Sequence, residues 1–138
     1  MRRPAHTELI RCAREARRRS HSPYSGFRVG AALLASNGTI YTGCNIEIST
    51  YALTLCAERT AAFKARSEGV TKFEAIAIAT DAAELTSPCG ACRQVLMDLC
   101  GDIDVILTGR RGTPVVVRLS DLLPMAFGPA NLSRHKKS

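Results

Sequence analysis

Apolar residues recur along this chain in two rhythms, one helical and one strand-like, and their alternation sets out the elements. Leu9, Cys12, Ala13 and Ala16 fall at helical spacing, so the pattern predicts a first helix from Thr7, its cap, to about Arg19. Its last turn is rich in arginine, which suits the negative end of a helix dipole. His21-Ser22-Pro23-Tyr24-Ser25-Gly26 is turn-forming and reads as a loop. Val29–Ala35 is a short apolar run and reads as a strand. Asn37-Gly38 then predicts a two-residue hairpin turn into an antiparallel partner over residues 40–45. Residues 46–53 have no period. A second helix is expected over residues 56–68, stopped by Gly69.

Phe73–Thr80 is almost continuously apolar, as a strand covered on both faces would be. Ser87-Pro88 opens a third helix, with Pro88 at its first position, ending near Cys100-Gly101. Asp104–Leu107 and Val115–Arg118 read as strands joined through Arg110-Arg111-Gly112-Thr113. Ser120 caps a short closing helix through Leu123. The order α-β-β-α-β-α-β-β-α predicts an α/β fold. Both Cys-containing motifs fall at strand-to-helix junctions, near the carboxyl ends of strands where sites collect in such sheets.

Length and composition then limit the possibilities. The 138 residues, 46% hydrophobic and 22% charged, suffice for one domain with its own core, spanning 1–138. No apolar run is long enough to cross a bilayer. Met1-Arg2-Arg3-Pro4 leads toward arginines rather than an apolar stretch, so a signal peptide is not expected and a cytoplasmic location is. Six cysteines in that compartment read as metal ligands or buried thiols. The net charge of +7 is concentrated at the ends, in Arg11, Arg14, Arg17, Arg18 and Arg19 and in Arg134, Lys136 and Lys137. A nucleic-acid footprint is one reading; a solvated helix face and a frayed basic tail from about residue 133 is the preferred one. With no Trp, three Tyr and four Phe, the chain has little to stack bases on.

The sharpest chemical signal is Cys56-Ala57-Glu58 combined with Pro88-Cys89-Gly90-Ala91-Cys92. Cys89 and Cys92, three apart at a helix start, share one face of the first turn. Unpaired backbone N–H groups there favour thiolate over thiol. Cys56 supplies a third sulfur from the other helix start. Three thiolates leave a tetrahedral zinc ion one open position, the mark of a catalytic rather than a structural site. Such a site carries a net negative charge, which Arg59 or Arg93 would offset; Arg59 is the favoured donor to sulfur. Glu58 either complements the helix dipole or, beside three placed cysteines, moves protons to and from a water. A non-ligand glutamate followed by Pro-Cys-x-x-Cys is the zinc deaminase pattern, with Cys56 at the position often held by histidine. Cys12, Cys44 and Cys100 read as small core residues, although Cys44 on the metal would close the site. Asn45 and Glu47 alternate around Ile46 and so point to one side, either as a solvated strand end or as a donor and acceptor for one hydroxyl.

With these residues in hand, the chain closely resembles the small, homotetrameric type of cytidine deaminase over roughly residues 22–132. The resemblance rests on separated blocks: Pro23-Tyr24-Ser25-Gly26-Phe27-Arg28-Val29-Gly30, Gly43-Cys44-Asn45-Ile46-Glu47, the two Cys motifs with Arg59-Thr60-Ala61 and Arg93-Gln94, and Leu122-Leu123-Pro124 with Phe127-Gly128-Pro129. It implies a three-layer α-β-α sandwich with a five-stranded mixed sheet. It also implies Zn2+ on Cys56, Cys89 and Cys92, with Glu58 helping to form hydroxide, protonating ring N3 and assisting ammonia's departure. The Ser87 carbonyl would accept from the leaving amino group and the Ala57 backbone would hold the pyrimidine carbonyl side. Phe27 would pack on the nucleoside, and Asn45 and Glu47 would bind the ribose 3′-hydroxyl. Tyr51 and Phe127 match positions through which neighbouring subunits of a tetramer complete each other's pockets. The implied activity is hydrolysis of cytidine and 2′-deoxycytidine in pyrimidine salvage. One departure is Ile48, where the family usually has asparagine.

Two other readings compete. One is a deaminase of a nucleoside antibiotic or of a base in a polynucleotide, which Phe27, Asn45 and Glu47 oppose. The other is a structural zinc module binding nucleic acid through basic ends, which the single Cys-x-x-Cys and the spare Glu58 oppose.

Overall fold

In the computed structural model, which describes the backbone of residues 6–136 and the side chains of residues 6–132, eleven elements follow one another. They are α1 (His6–Arg17), β1 (Val29–Ala35), β2 (Ile40–Cys44), a 3₁₀ turn (Tyr51–Leu53), α2 (Ala57–Ser67), β3 (Phe73–Thr80), α3 (Gly90–Cys100), β4 (Asp104–Leu107), β5 (Val115–Arg118), α4 (Leu119–Leu122) and α5 (Pro129–Lys136). The five strands form one mixed sheet in the order β2-β1-β3-β4-β5. β3 and β4 are parallel, and every other neighbouring pair is antiparallel.

Strand alternation sorts side chains between two layers. Ala32 and Leu34 of β1, Ala75, Ala77 and Ala79 of β3, and Ile106 of β4 meet Leu9, Ile10 and Ala13 of α1. Ala31, Leu33, Ile76, Ile78, Val105 and Leu107 point the other way, against Ala57, Ala61 and Ala65 of α2 and Leu96 of α3. The result is a three-layer α-β-α sandwich. β3 is apolar except for Glu74 and Thr80 because helices cover both of its faces.

Two glycines set how closely the helices approach. A Cβ on Gly30 would lie 2.1 Å from the Ala13 carbonyl oxygen, and one on Gly43 would lie 2.5 Å from the Ala57 oxygen and 2.6 Å from the Ala61 nitrogen. The backbones of α1 and α2 therefore rest on β1 and β2 where no side chain intervenes. Gly43 fixes the height of the α2 N-terminus, which carries Cys56 and Glu58.

The structure corrects several expected boundaries. Thr7 lies within the first turn of α1, not at its cap. Arg18 and Arg19 follow α1 in a tightened turn, their N–H groups bonded to the Glu15 and Ala16 carbonyls. At Asn37-Gly38, the Gly38 N–H returns to the Ala35 carbonyl and Gly38 takes φ 93°. That is a type I turn with a glycine bulge, in place of the expected two-residue turn. Pro88 precedes α3, whose cap is Cys89. Ser120 sits inside α4, which follows β5 directly. α5 runs as helical backbone through Lys136, while Lys137 lies outside the described residues.

Candidate metal centre and active site

Both Cys motifs start helices, and each start uses its cysteine as the cap. Cys56 is the N-cap of α2 in an extended conformation, at φ −73° and ψ 154°. Cys89 is the N-cap of α3, and its sulfur accepts from the Cys92 N–H at 3.4 Å, as a serine cap would. A sulfur accepting a backbone N–H at a helix N-terminus favours its thiolate. α2 and α3 lie side by side on one face of the sheet, which brings their two starts together.

The three sulfurs lie within 4.8 Å of one another, with Cys56–Cys89 at 4.0 Å and Cys89–Cys92 at 3.2 Å. Tetrahedral zinc–thiolate bonds of about 2.3 Å would set sulfurs about 3.8 Å apart, so the spacing fits that ion. Protonation points the same way. Hydrogen bonding from Cys92, together with the Arg59 guanidinium, holds the Cys56 thiol down to about 5 against its burial. Cys92 is raised by that same bond and by burial. The bare cluster thus concentrates negative charge on Cys56 and resists more; a divalent cation is what allows three thiolates to coexist. The cluster fits Zn2+.

Arg59 NH2 donates to the Cys56 sulfur at 3.2 Å and to the Thr54 carbonyl at 3.4 Å. Arg93 takes a different part. It bonds the Pro88 carbonyl at 2.8 Å, the Leu122 carbonyl at 2.8 Å and Ser87 Oγ at 2.9 Å, tying the 87–88 segment to the end of α4. Cys44 is not in the cluster; its sulfur donates to the Arg19 carbonyl. Burial pushes the Cys100 thiol up to about 12, as for an inert core cysteine.

Glu58, two residues beyond Cys56, is 4% exposed. Burial above all, with the charge of Cys56 adding to it, pushes its carboxyl up to about 7. A carboxyl titrating there accepts and donates a proton with equal ease near neutrality.

The cluster opens on a cavity of about 370 Å³. Cys56, Glu58 and Cys89 border it, as do Phe27, Asn45, Glu47, Ala57 and Ser87. With Ile78 and Thr80 of β3, residues from five separate stretches of chain share one space. The Asn45 side chain is not a solvated strand end. It is 8% exposed, accepts from the Val29 N–H at 2.9 Å and from Ser20 Oγ, and donates to the Phe27 carbonyl at 2.8 Å. Glu47 accepts from the Tyr24 and Ser25 N–H groups, each at 3.0 Å, and from Ser25 Oγ. These bonds, the Ser25 hydroxyl first, hold its carboxyl below the usual carboxylate range. Ile46 bridges to His21 and Leu55, which keeps Asn45 and Glu47 on a common side.

Tyr51 and Phe127 do not border this cavity. They are 71% and 60% exposed. Tyr51 stacks edge-on with Tyr24 at 5.8 Å beside the cavity mouth, and Gln94 holds the Phe127 carbonyl at 2.7 Å. Ile48 is also outside it, with its N–H on Thr54 Oγ1 at 3.0 Å. Sequence reasoning missed Ser20, Ser25 and Thr54 as supports of Asn45, Glu47 and Arg59. The Ser25 turn next to Gly26 offered a signal; Ser20 offered none because its partner Asn45 comes from another segment, and Thr54 offered none because it holds Arg59 through its backbone carbonyl.

The profile of the cytidine and deoxycytidylate deaminase zinc-binding region matches residues 3–108. A cytidine deaminase of Sporosarcina psychrophila is 51% identical over 127 residues, covering 91% of this chain and 93% of that protein. One from Halalkalibacterium halodurans is 49% identical over 120 residues, covering 86% of this chain and 91% of that protein. The crystal structure of cytidine deaminase from Burkholderia pseudomallei superposes with a TM-score of 0.87 at 43% identity, covering 90% of this chain and 100% of that one. A three-sulfur cluster that opens on one cavity beside a buried glutamate, matched by this profile and these relatives, places the chain in the cytidine and deoxycytidylate deaminase zinc-binding family.

Proposed function

We propose that this chain hydrolyses cytidine and 2′-deoxycytidine to uridine and 2′-deoxyuridine with release of ammonia. The observation that carries the proposal is Glu58, buried and titrating near neutrality, on the same cavity as the three-sulfur cluster. Cys56, Cys89 and Cys92 would hold Zn2+, and Arg59 offsets their charge. The ion, when bound, supplies Lewis acidity that acidifies a water.

Glu58 does the proton work. It takes one proton from the attacking water and delivers it to ring N3 as the oxygen adds to C4. It then carries the second proton from that oxygen to the amino nitrogen, so that the C4–N4 bond breaks and ammonia leaves with three hydrogens. The Ser87 carbonyl accepts from the amino group, and the Ala57 backbone N–H serves the pyrimidine carbonyl. Phe27 packs on the nucleoside. Asn45 and Glu47 hold the 3′-hydroxyl, with Asn45 fixed by its bonds to Val29 and Phe27.

The working form is a homotetramer in which Tyr51 and Phe127 of each subunit complete a neighbour's pocket. Exposed Tyr51, Leu53, Met125 and Phe127 support that assembly. The chain acts as one domain in cytoplasmic pyrimidine salvage. Among the described residues, no helix is long and apolar enough to cross a membrane. The Cys44 sulfur, bonded to Arg19, weighs against a closed four-cysteine structural site. Ammonia release from cytidine, blasticidin S and a single-stranded oligonucleotide tests the substrate. Release from cytidine is expected; release from the oligonucleotide alone would overturn the proposal.

A further inference from the structure

Among the described residues outside the catalytic cavity, exposed arginines gather along α1 and on the loop that packs beside it. At about 100° per residue, Arg11 and Arg14 fall about 60° apart on the exposed side of α1, and exposed Arg18 follows in the tightened turn beyond Arg17. They border a cavity of about 370 Å³, whose lining Glu15 and Arg17 share. Glu8 and Glu15 lie to one side of this row. Glu15 makes only an exposed 3.8 Å pair with Arg11. The other side meets the loop after β4, where Arg14 NH2 reaches the Gly109 carbonyl at 3.4 Å. The loop is pinned by the Arg110 and Arg111 N–H groups on the Ala82 and Ala83 carbonyls, which leaves both side chains exposed. The sequence separates these arginines by about ninety residues, and the Arg14 contact with Gly109 brings the loop that bears Arg110 and Arg111 beside α1. Arg17 is not part of the row; it is spent on the Thr80 carbonyl at 2.8 Å and on Asp81.

We infer that Arg11, Arg14, Arg18, Arg110 and Arg111 form a docking surface for the phosphate backbone of duplex nucleic acid. All five are arginine, whose planar fork matches phosphate oxygens in pairs. Neither α1 nor the 109–112 loop carries an aromatic residue, so bases have nothing to stack on and a single strand is disfavoured. Leu9, Ile10, Ala13 and Ala16 are buried against the sheet, which leaves α1 no apolar side chain to insert into a bilayer. The contact is to backbone only, so it reads no sequence. This surface is independent of the deamination reading.

The test is fluorescence anisotropy of a labelled duplex DNA against salt, using the full chain. Five phosphate contacts give a slope of about −4.5 in log K against log salt, a loss of about 500-fold between about 50 and 200 mM. The double variant Arg18→Gln/Arg111→Gln should reduce the slope to about −2.7, a loss of about 40-fold over the same range. A charge-matched control, Arg66→Gln/Lys72→Gln, lies away from the surface and should keep the wild-type slope. Both variants should keep wild-type turnover of cytidine, which shows them folded. The inference is overturned if wild type binds no duplex, if the two variants lose affinity equally, or if anionic phosphatidylserine vesicles are bound and duplex is not.

Discussion

Gly43→Ala separates the role of α2 as scaffold from its role as carrier of the site. The added Cβ would meet the Ala57 oxygen at 2.5 Å and the Ala61 nitrogen at 2.6 Å, both backbone atoms of α2. Relief to an ordinary 3.4 Å contact requires about 0.9 Å of movement at the turn bearing Cys56 and Glu58. Overpacking of this kind costs about 1–3 kcal/mol. A displacement of about 1 Å in a catalytic group costs on the order of 10²-fold in rate. Gly30→Ala is the matched comparison. Its Cβ would meet the Ala13 oxygen at 2.1 Å, so α1 must move further, yet α1 carries none of the three cluster cysteines and not Glu58. Urea denaturation, zinc content and kcat on cytidine should be measured on both. Both variants should lose stability, while only Gly43→Ala should lose about 10²-fold in kcat or lose zinc. Wild-type kcat with full zinc in Gly43→Ala, or an equal kcat loss in Gly30→Ala, would refute the argument.

Three further outcomes follow from the site. Glu58 is raised from 4.5 to about 7 in the folded chain, so the stability it contributes is complete below pH 4.5 and lost as pH rises through 7. Metal-free Glu58→Gln should therefore gain up to about 3 kcal/mol over metal-free wild type between pH 4 and pH 8, read by urea denaturation; no pH-dependent gain would contradict it. Arg59→Gln removes the donor on the Cys56 sulfur and should weaken zinc about 10–100-fold in a chelator competition, against an unchanged affinity if Arg59 is only a structural contact. 2′-Deoxycytidine should be turned over, and 3′-deoxycytidine should lose up to about 10⁴-fold in kcat/KM, since Asn45 and Glu47 would be left without their hydroxyl partner. Comparable efficiency on the two would remove that pair from the site.

The sequence was most legible where local chemistry and tertiary packing agree. The bounds expected for β1, β3, β4 and β5 match the structure because those strands are apolar runs between turn residues. The short Cys motifs could be placed at helix starts from spacing alone. Residues whose role depends on the fold were less legible. Pro88 and Ser120 looked like helix starts, but cysteine caps one helix and β5 runs straight into the other. A solvated strand end stayed open for Asn45 because its partners, Ser20, Phe27 and Val29, come from other segments. Gly43 gave no local sign that it seats α2, since the contact is between backbones that only the sandwich brings together. The link between α1 and the Gly109 loop was equally hidden, and with it the grouping of the arginines.

The central claim is that Glu58 moves protons for a water attacking cytidine beside the Cys56, Cys89 and Cys92 cluster. The direct measurement is the ultraviolet absorbance change on adding cytidine to the zinc-loaded chain, with Glu58→Gln alongside at equal zinc content. Wild type should convert cytidine to uridine, and the variant should be slower by about 10²–10⁴-fold. An inert wild type, or a variant as fast as wild type, would contradict the account.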